Sequence, residues 1–487
     1  MKISKKTSPD FYHYELGLSD DKRTELGIVY TPQDIVDFIN QRCLNLWTKS
    51  EPPRVVDPCC GTGIFLHDMA NKISARWSLD IEEVYEKYVF GIDIDAPAIV
   101  IAKELMPGVN LTVSNSLFED LSVFDMVVTN PPYIRIQNLG EADRDKIKEN
   151  FTFCVGDTDI YIAFFEKIIR LDVVSGFICP NSWIKNKSSM KLRDFLKKDG
   201  RSNTIIDFGF KKVFPKADAY TSILISDNKT SKKVSVGNSY KSLHEIPQKD
   251  LYLDNILLID SSQRAFVSNI LKRKKHVFDI CDIKTGLATL ADSVFLLEKI
   301  ENREGMVIVR TRGQDKKEYE IEEGILKKCV KAGEITKNKQ KKYCIIFPYK
   351  GDGNALPEDE IEKLFPKAYQ YLESNKEKLL ARDKGKGKGY LWHQYGRSQA
   401  VGIKAEKLVF ATLVSGGMKM KDSPPEETLT SGYCIVPKEG YNIQDIRKIF
   451  ESEEVTRWIS IFGKNFGDGW VGVSKETFRN YKINENN

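Results

Sequence analysis

The sequence predicts an α/β protein whose first half is a mostly parallel sheet with helices on both faces. Three observations predict it. From Val29 to about Ile225, short runs rich in β-branched and aromatic residues alternate with helical stretches. The run at 54–57 passes directly into a glycine turn and an amphipathic stretch, the order of a strand feeding a helix. And 487 residues are too many for one compact core, so two or three domains are expected.

Residues 1–28 are polar and irregular and read as an N-terminal extension. Residues 54–57 form a buried strand and 64–74 the helix after it; 88–93 is a second strand, followed by a helix over 96–105. Residues 124–129 and 175–179 are further strands, and the polar stretch 227–233 is a linker or hairpin. One domain is therefore expected over 29–235 and another over 250–487, where the alternation weakens and no fold follows from the pattern. No internal repeat is visible, and Asp383-Lys384-Gly385-Lys386-Gly387-Lys388-Gly389 is the single low-complexity patch.

Composition excludes several classes. At 41 % hydrophobic and 29 % charged the chain is ordinary globular material. The basic run Met1 to Lys6 is followed by no apolar segment, so no signal peptide is expected. The apolar stretch 161–178 is interrupted by Glu166, Lys167, Arg170 and Asp172, so no membrane span is expected and the protein reads as cytoplasmic. Nine cysteines without a CxxC pair and five scattered histidines argue for reduced thiols and no metal site. Charge is uneven: residues 1–230 carry about −4 and residues 231–487 about +9. The second half suits a polyanionic partner, although a lysine-rich solvated surface has the same composition.

Asp57-Pro58-Cys59-Cys60-Gly61-Thr62-Gly63-Ile64-Phe65 lies where the first strand turns into a helix. Ligands of open α/β sheets bind beyond the carboxyl ends of the strands, and Gly61 and Gly63 allow close backbone approach. The third glycine of GxGxxG is missing and no GKS or GKT follows, which disfavours a phosphate cradle. The next strand ends in Asp93-Ile94-Asp95, and a carboxylate there can accept both ribose hydroxyls. Glycine loop and carboxylate together point to an adenosine-containing cofactor; S-adenosylmethionine and NAD both remain open on these residues.

Asn130-Pro131-Pro132-Tyr133 decides between them. It follows the strand at 124–129 and so lies at the same sheet edge. Two prolines fix φ and remove two N–H donors, leaving a stiff loop that presents acceptors. The Asn130 side-chain oxygen and the Pro131 carbonyl can then both accept from one NH2 group. An exocyclic amine delocalises its lone pair into the ring; gripping its two hydrogens localises that pair and aims it at a sulfonium methyl. Positioning and electrostatics carry such a displacement, with no metal. Tyr133 offers a face on which a flipped base can stack. A plain strand-to-loop turn would explain Asn-Pro alone, but not its order after the glycine loop and the acidic strand end.

At these residues the chain resembles the gamma class of DNA N6-adenine methyltransferases, the TaqI-like group with its Eco57I-type relatives. The resemblance runs over nearly the whole chain in the order of that class. It implies a Rossmann-like S-adenosylmethionine-dependent methyltransferase domain over 29–235 and a mixed α/β DNA target-recognition domain over 250–487. Gly27 to Val36 is similar to the opening motif of the class, with Tyr30, Thr31 and Pro32 lining the methionine end of the cofactor. Asp57, Gly61 and Gly63 are implied beside the cofactor, with Asp57 and Gly61 at its amino acid and Asp93 at the ribose. Asn115-Ser116-Leu117-Phe118 stands where the class has Asp-Ser-Leu or Asp-Phe-Leu. There Asn115 would accept from the adenine amine without the family's charge. Gly156 to Phe164 and Pro180 to Trp183 are family-like stretches, and within Ile206 to Pro215 the aromatic Phe214 matches the one that clamps the adenine opposite Tyr133.

In the second half, Lys284-Thr285-Gly286-Leu287, Phe347-Pro348-Tyr349, Phe365 to Leu372 and Trp392 to Arg397 are similar to the family's recognition domain. Some of these aromatics are expected to build its core. Lys384, Lys386, Lys388 and Arg397 are the candidates for phosphate contacts, which position DNA without reading it. The partners implied are double-stranded DNA and a separately encoded restriction endonuclease, with a monomer expected. Three rivals stand beside this reading: an amine methylase acting on RNA or protein glutamine through the same tetrapeptide, a fused restriction-modification enzyme, and a subunit silent without its partner. The 28 residues before Val29 are too few for a nuclease domain, and no PD…(D/E)xK cluster is found.

Overall fold

A computed structural model describes residues 10–19, 21–23, 27, 29, 31–156, 158–209, 211–214, 219–251, 261–312, 316–335, 343–382, 391–398, 401–467 and 469–484. The chain divides into two compact units, residues 1–258 and 259–487.

Among the described residues the first unit is built on nine strands: β1 (Val55–Asp57), β2 (Val89–Asp93), β3 (Asn110–Val113), β4 (Met126–Thr129), β5 (Val174–Pro180), β6 (Ser202–Asp207), β7 (Thr221–Ser226), β8 (Lys233–Ser239) and β9 (Ser242–Pro247). Their spatial order is β3-β2-β1-β4-β5-β7-β6-β8-β9. The first five positions are parallel, and β7 runs antiparallel between β5 and β6. The expected α/β class with a mostly parallel sheet is what forms.

Alternation along the central strands explains the layers. Side chains of successive strand residues point to opposite faces. Val55, Met126, Val128, Val174 and Ile178 join one core cluster, with Ile35, Ile39 and Cys43 of the helix Gln33–Leu46 and Leu66, Met69 and Ile73 of the helix Ile64–Trp77. Val56, Val127, Phe177 and Cys179 join the other, with Ile162, Phe165 and Ile169 of the helix Tyr161–Ile169. A strand apolar on both faces therefore sits between two helical layers.

The winding direction reverses between β1 and β4, which pair in parallel as Val55↔Met126 and Val56↔Val127. Strands on either side of that seam carry their connections away from each other, and a crevice opens beyond their carboxyl ends. Asp57 and Asn130 are the residues at its lip.

The helix at 96–105 forms with the expected bounds, and that at 64 extends to Trp77. The polar stretch 227–233 connects β7 to β8, held by Asp227 N–H on the Arg201 carbonyl and Ser231 N–H on the Gly200 carbonyl. The sheet thus continues past residue 235 to Pro247.

Among the described residues the second unit holds three sheets. One contains Cys281–Thr285, Tyr433–Pro437, Lys407–Phe410 and Met420–Ser423. A six-stranded sheet contains Glu318–Glu322, Met306–Arg310, Leu296–Arg303, Tyr343–Ile346, Leu326–Lys331 and Thr428–Thr430. The third joins Leu413–Val414, Trp470–Gly472 and Lys464–Gly467. Pairing is antiparallel except between Leu326–Lys331 and Thr428–Thr430. Phe347, Tyr349, Tyr371 and Tyr395 of the family-like stretches are buried in its core, as expected for some of those aromatics.

Among the described residues no helix is long and apolar enough to cross a membrane, and no group of three His, Cys, Asp or Glu side chains is placed to hold a metal. All nine cysteines are unpaired, seven of them buried.

Candidate active site

A cavity of about 720 Å³ opens at the carboxyl edge of the first sheet. Thr31, Asp57, Gly61, Asp93, Asn115, Ser116, Asn130 and Pro132 all line it, although they come from five separate places in the sequence. The volume is in the range of small-molecule and cofactor sites.

Asn130 is held by two bonds. Its Nδ2 donates to the Val29 carbonyl at 2.9 Å and to Thr31 Oγ1 at 2.9 Å. A carbonyl can only accept, so the amide orientation is fixed and Oδ1 is turned the other way. That Oδ1 is buried and has no partner. Among the described residues the Pro131 carbonyl likewise accepts nothing. An orphaned buried acceptor costs free energy unless a donor reaches it, so Oδ1 and the Pro131 carbonyl are open to a group carrying N–H.

Thr31 follows as a positioning group. Thr31→Val keeps the shape and removes one of two anchors, a hydrogen bond worth about 1 kcal/mol. We expect turnover to fall by roughly fivefold and Thr31→Ser to keep near wild-type turnover. Steady-state kinetics of the two variants checks this; equal losses in both would deny the hydroxyl its role.

Asp93 does two jobs at the end of β2. Its Oδ2 accepts the Gly61 N–H at 2.7 Å and its Oδ1 accepts the Asp95 N–H at 2.8 Å. It therefore ties the glycine loop to the second strand, and each oxygen keeps lone-pair capacity for a further donor. Burial pushes its carboxyl above the usual range. Gly61 adopts φ 51°, in the left-handed region that a residue without Cβ enters at little cost. Gly63 does not line the cavity; it starts the helix at φ 95°, and a Cβ there would meet Met106 Cε at 2.1 Å. Asp57 accepts the Cys59 N–H at 3.0 Å, and burial pushes its carboxyl up to about 7.

Asn115 is partly committed: its Oδ1 accepts the Leu117 N–H at 3.2 Å and caps the short turn Ser116–Phe118. Ser116 Oγ donates to the Pro58 carbonyl, which fastens that turn to the glycine loop. Pro32 begins the helix Gln33–Leu46 and is not part of the cavity wall.

Phe214 lies beside Tyr133, with ring centroids 6.4 Å apart and planes inclined by 57°. A base between two rings needs parallel faces separated by about twice the 3.5 Å carbon contact distance. Phe214 is only 1 % exposed and belongs to the core cluster, so the pair is closed in this conformation.

Three features of the wall have no forerunner in the motif reading. Phe11, Tyr12 and Tyr14 of the N-terminal segment line the cavity. The Phe11 carbonyl accepts from Thr62 Oγ1 at 2.5 Å, Tyr12 OH donates to the Thr31 carbonyl at 3.4 Å and Tyr14 OH donates to Asp95 Oδ2 at 2.7 Å. Second, Ile94 lines the cavity while 65 % exposed, an apolar side chain waiting for an apolar cover. Its apolar character between Asp93 and Asp95 was the available signal. Third, Phe118, Leu139, Ile147 and Phe164 form an apolar compartment next to Asn115.

Arg397 belongs to the second unit, exposed and in no ion pair among the described residues; its backbone pairs with Ala288. Tyr30, Lys384, Lys386 and Lys388 lie outside the described residues, as do Asp157, Phe210 and Pro215 of the family-like stretches.

Comparison with known proteins agrees with the resemblance drawn from the motifs. Residues 103–214, which include the tetrapeptide, match the model of the Eco57I restriction-modification methylase family. The chain is 25 % identical over 347 residues to the Type II methyltransferase M.BanIII of Aneurinibacillus aneurinilyticus, covering 56 % of this chain and 58 % of that one. It is 22 % identical over 501 residues to the Type II methyltransferase M.BstVI of Geobacillus stearothermophilus, covering 89 % and 85 %. With M.HindII of Haemophilus influenzae, 24 % identical, it again spans only 58 % of the relative's length. Among solved structures, the Type IIL restriction-modification enzyme MmeI in complex with DNA superposes with a TM-score of 0.63 at 14 % identity, over 99 % of this chain and 72 % of MmeI. The fold is shared across both units.

Proposed function

We propose that the chain is a site-specific DNA methyltransferase of the gamma class that methylates the N6 amine of an adenine flipped out of duplex DNA. The modification would serve a restriction-modification or related defence system, with a separately encoded endonuclease as candidate partner and the monomer as working unit. One observation carries the reading: Asn130 Oδ1 is buried, oriented by its own amide and left without a donor in the lining of the cofactor-sized cavity.

S-adenosylmethionine fits the donor set. Asp57 suits its ammonium, Asp93 its ribose hydroxyls, Gly61 the close approach of its amino-acid end, and Ile94 with the apolar compartment its adenine face. When bound, this cofactor supplies an electrophilic methyl carbon on a sulfonium. The protein's part is positional. Asn130 Oδ1 and the Pro131 carbonyl accept the two N–H bonds of the adenine amine and fix its lone pair in line with that carbon. The nitrogen so held would take the methyl as the S–C bond of the bound cofactor broke, and the surplus N–H proton would leave to water. Tyr133 covers the base, and Phe214 must swing away before its own face can stack. Extruding a base costs roughly a few kcal/mol, offset by stacking and phosphate contacts.

Asp57 sets a pH dependence. Its carboxyl, raised to about 7 by burial, is neutral below that pH and ionised above it. Only the ionised form attracts an ammonium, so cofactor affinity should fall about tenfold per pH unit below 7 and level off above 8. Calorimetric titration should detect proton release at pH 6.5. In Asp57→Asn the affinity should be low and flat with pH; a flat wild-type profile from 5.5 to 8 would exclude this contact.

The reading is tested by offering labelled S-adenosylmethionine with duplex DNA, RNA and protein in competition. Label is expected in duplex DNA alone; label in RNA or in a glutamine side chain would replace the substrate class.

A further inference from the structure

We propose that a second cavity, in the second unit beside Lys407, seats a phosphate of the DNA backbone. The cavity is about 500 Å³ and is lined by Lys327, Lys328, Lys404 and Lys407 and by Glu426 and Glu427. The proposal rests on duplex DNA being the substrate.

The four ammonium groups are unusual in what they lack. Among the described residues none of them enters an ion pair. Glu427 is engaged instead by Lys421, at 3.6 Å, and Glu426 is exposed to solvent. Lys407 is 1 % exposed, on the strand Lys407–Phe410. Its Nζ donates to the Pro424 carbonyl at 2.8 Å and to the Ala405 carbonyl at 3.4 Å. An ammonium has three donors, so one remains. Lys404 Nζ donates to the Gly351 carbonyl, and Lys327 Nζ sits 3.6 Å from the centroid of the Phe347 ring.

Lys327, Lys328 and Lys404 are exposed and Lys407 is buried, where the charges of Glu426 and Glu427 act on it, yet gathering four ammonium groups around one hollow sets them in mutual repulsion. The consequence is visible at Lys327, whose ammonium is held below its usual range by burial and by Lys404. Carbonyl oxygens hold Lys404 and Lys407 and a ring face holds Lys327, none of which cancels a charge. An anion entering the cavity would relieve that repulsion, and a phosphate offers oxygens enough to meet several ammonium groups at once. Leu326, Val401 and Ile403 on the same wall suit the carbons of an adjoining sugar. The excess charge of about +9 over residues 231–487 supplies the longer-range attraction that a backbone, more than a small free anion, would feel.

The test is the salt dependence of duplex binding in the full-length protein. Each lysine removed from a phosphate should reduce the slope of log affinity against log salt by about 0.9, so Lys327→Gln with Lys404→Gln should lose about 1.8. Lys229→Gln, exposed in the first unit, should leave the slope unchanged. Lys407→Met, because it is buried, is compared at matched melting temperature and should also lower the slope. A double variant with the wild-type slope, in protein that still binds duplex, would overturn the proposal while leaving the proposed function standing. Inorganic phosphate that raises the melting temperature through these lysines, with the slope unmoved, would assign the cavity to a free anion and likewise overturn it. Wild-type protein that binds no duplex would remove both.

Discussion

Asn130→Ala is expected to lower methyl transfer by about 10³-fold or more while changing cofactor affinity less than about threefold. The size follows from what is removed. A preorganised polar contact to the reacting group contributes on the order of 10²–10³ in rate, and here the same side chain also orients the amine. The Val29 carbonyl and Thr31 hydroxyl that hold Asn130 belong to the opening motif, so their packing persists when the amide is gone. Asp57, Gly61 and Asp93 are untouched, which is why cofactor binding should survive. Asn130→Asp sharpens the test. It keeps an acceptor oxygen but sets a carboxylate against the Val29 carbonyl, so it should also fail. Single-turnover rates beside cofactor titrations separate the effects. An alanine variant with more than a tenth of wild-type rate would make the tetrapeptide a structural turn.

Asp93→Ala is expected to weaken cofactor binding by at least 10²-fold and to lower stability as well. Two backbone donors, Gly61 N–H and Asp95 N–H, lose their acceptor, at about 1–3 kcal/mol each if they stay dry. The glycine loop then loses its tie to β2, and the ribose hydroxyls lose their carboxylate. Asp93→Asn should not rescue it, because the amide presents N–H to one of two N–H donors. Duplex binding and its salt slope should remain, since the second unit has its own core. Cofactor affinity by calorimetry, with melting temperatures alongside, reads both effects. Wild-type affinity in Asp93→Ala would remove the ribose assignment.

Much of the first unit was legible because its signals are local. Val55 and Val56 are apolar on both strand faces, Gly61 and Gly63 mark the turn, and Ala96–Leu105 follows directly on Asp93-Ile94-Asp95. The convergence of Asp57, Asp93 and Asn130 follows from one rule, that parallel strands bring their carboxyl ends to one edge. The rest depends on contacts between residues far apart in the chain. Phe11 meets Thr62 across 51 positions and Tyr14 meets Asp95 across 81, so nothing in the polar segment 1–28 announces that it walls the cavity. Phe214 shows the limit of a motif match, which gives the residue but not its closed, buried conformation. In the second unit, strands as short as Leu413–Val414 carry no periodicity to read, and Thr428–Thr430 pairs with a strand about a hundred residues earlier.

The most direct measurement is single-molecule sequencing of genomic DNA from a methylation-free host that expresses this chain, beside one expressing Asn130→Ala. The wild type should leave N6-methyladenine at one short sequence context and the variant should leave none. Methylcytosine at that context, or identical unmodified genomes from both hosts, would contradict the geometry inferred for the NH2-holding pair of oxygens.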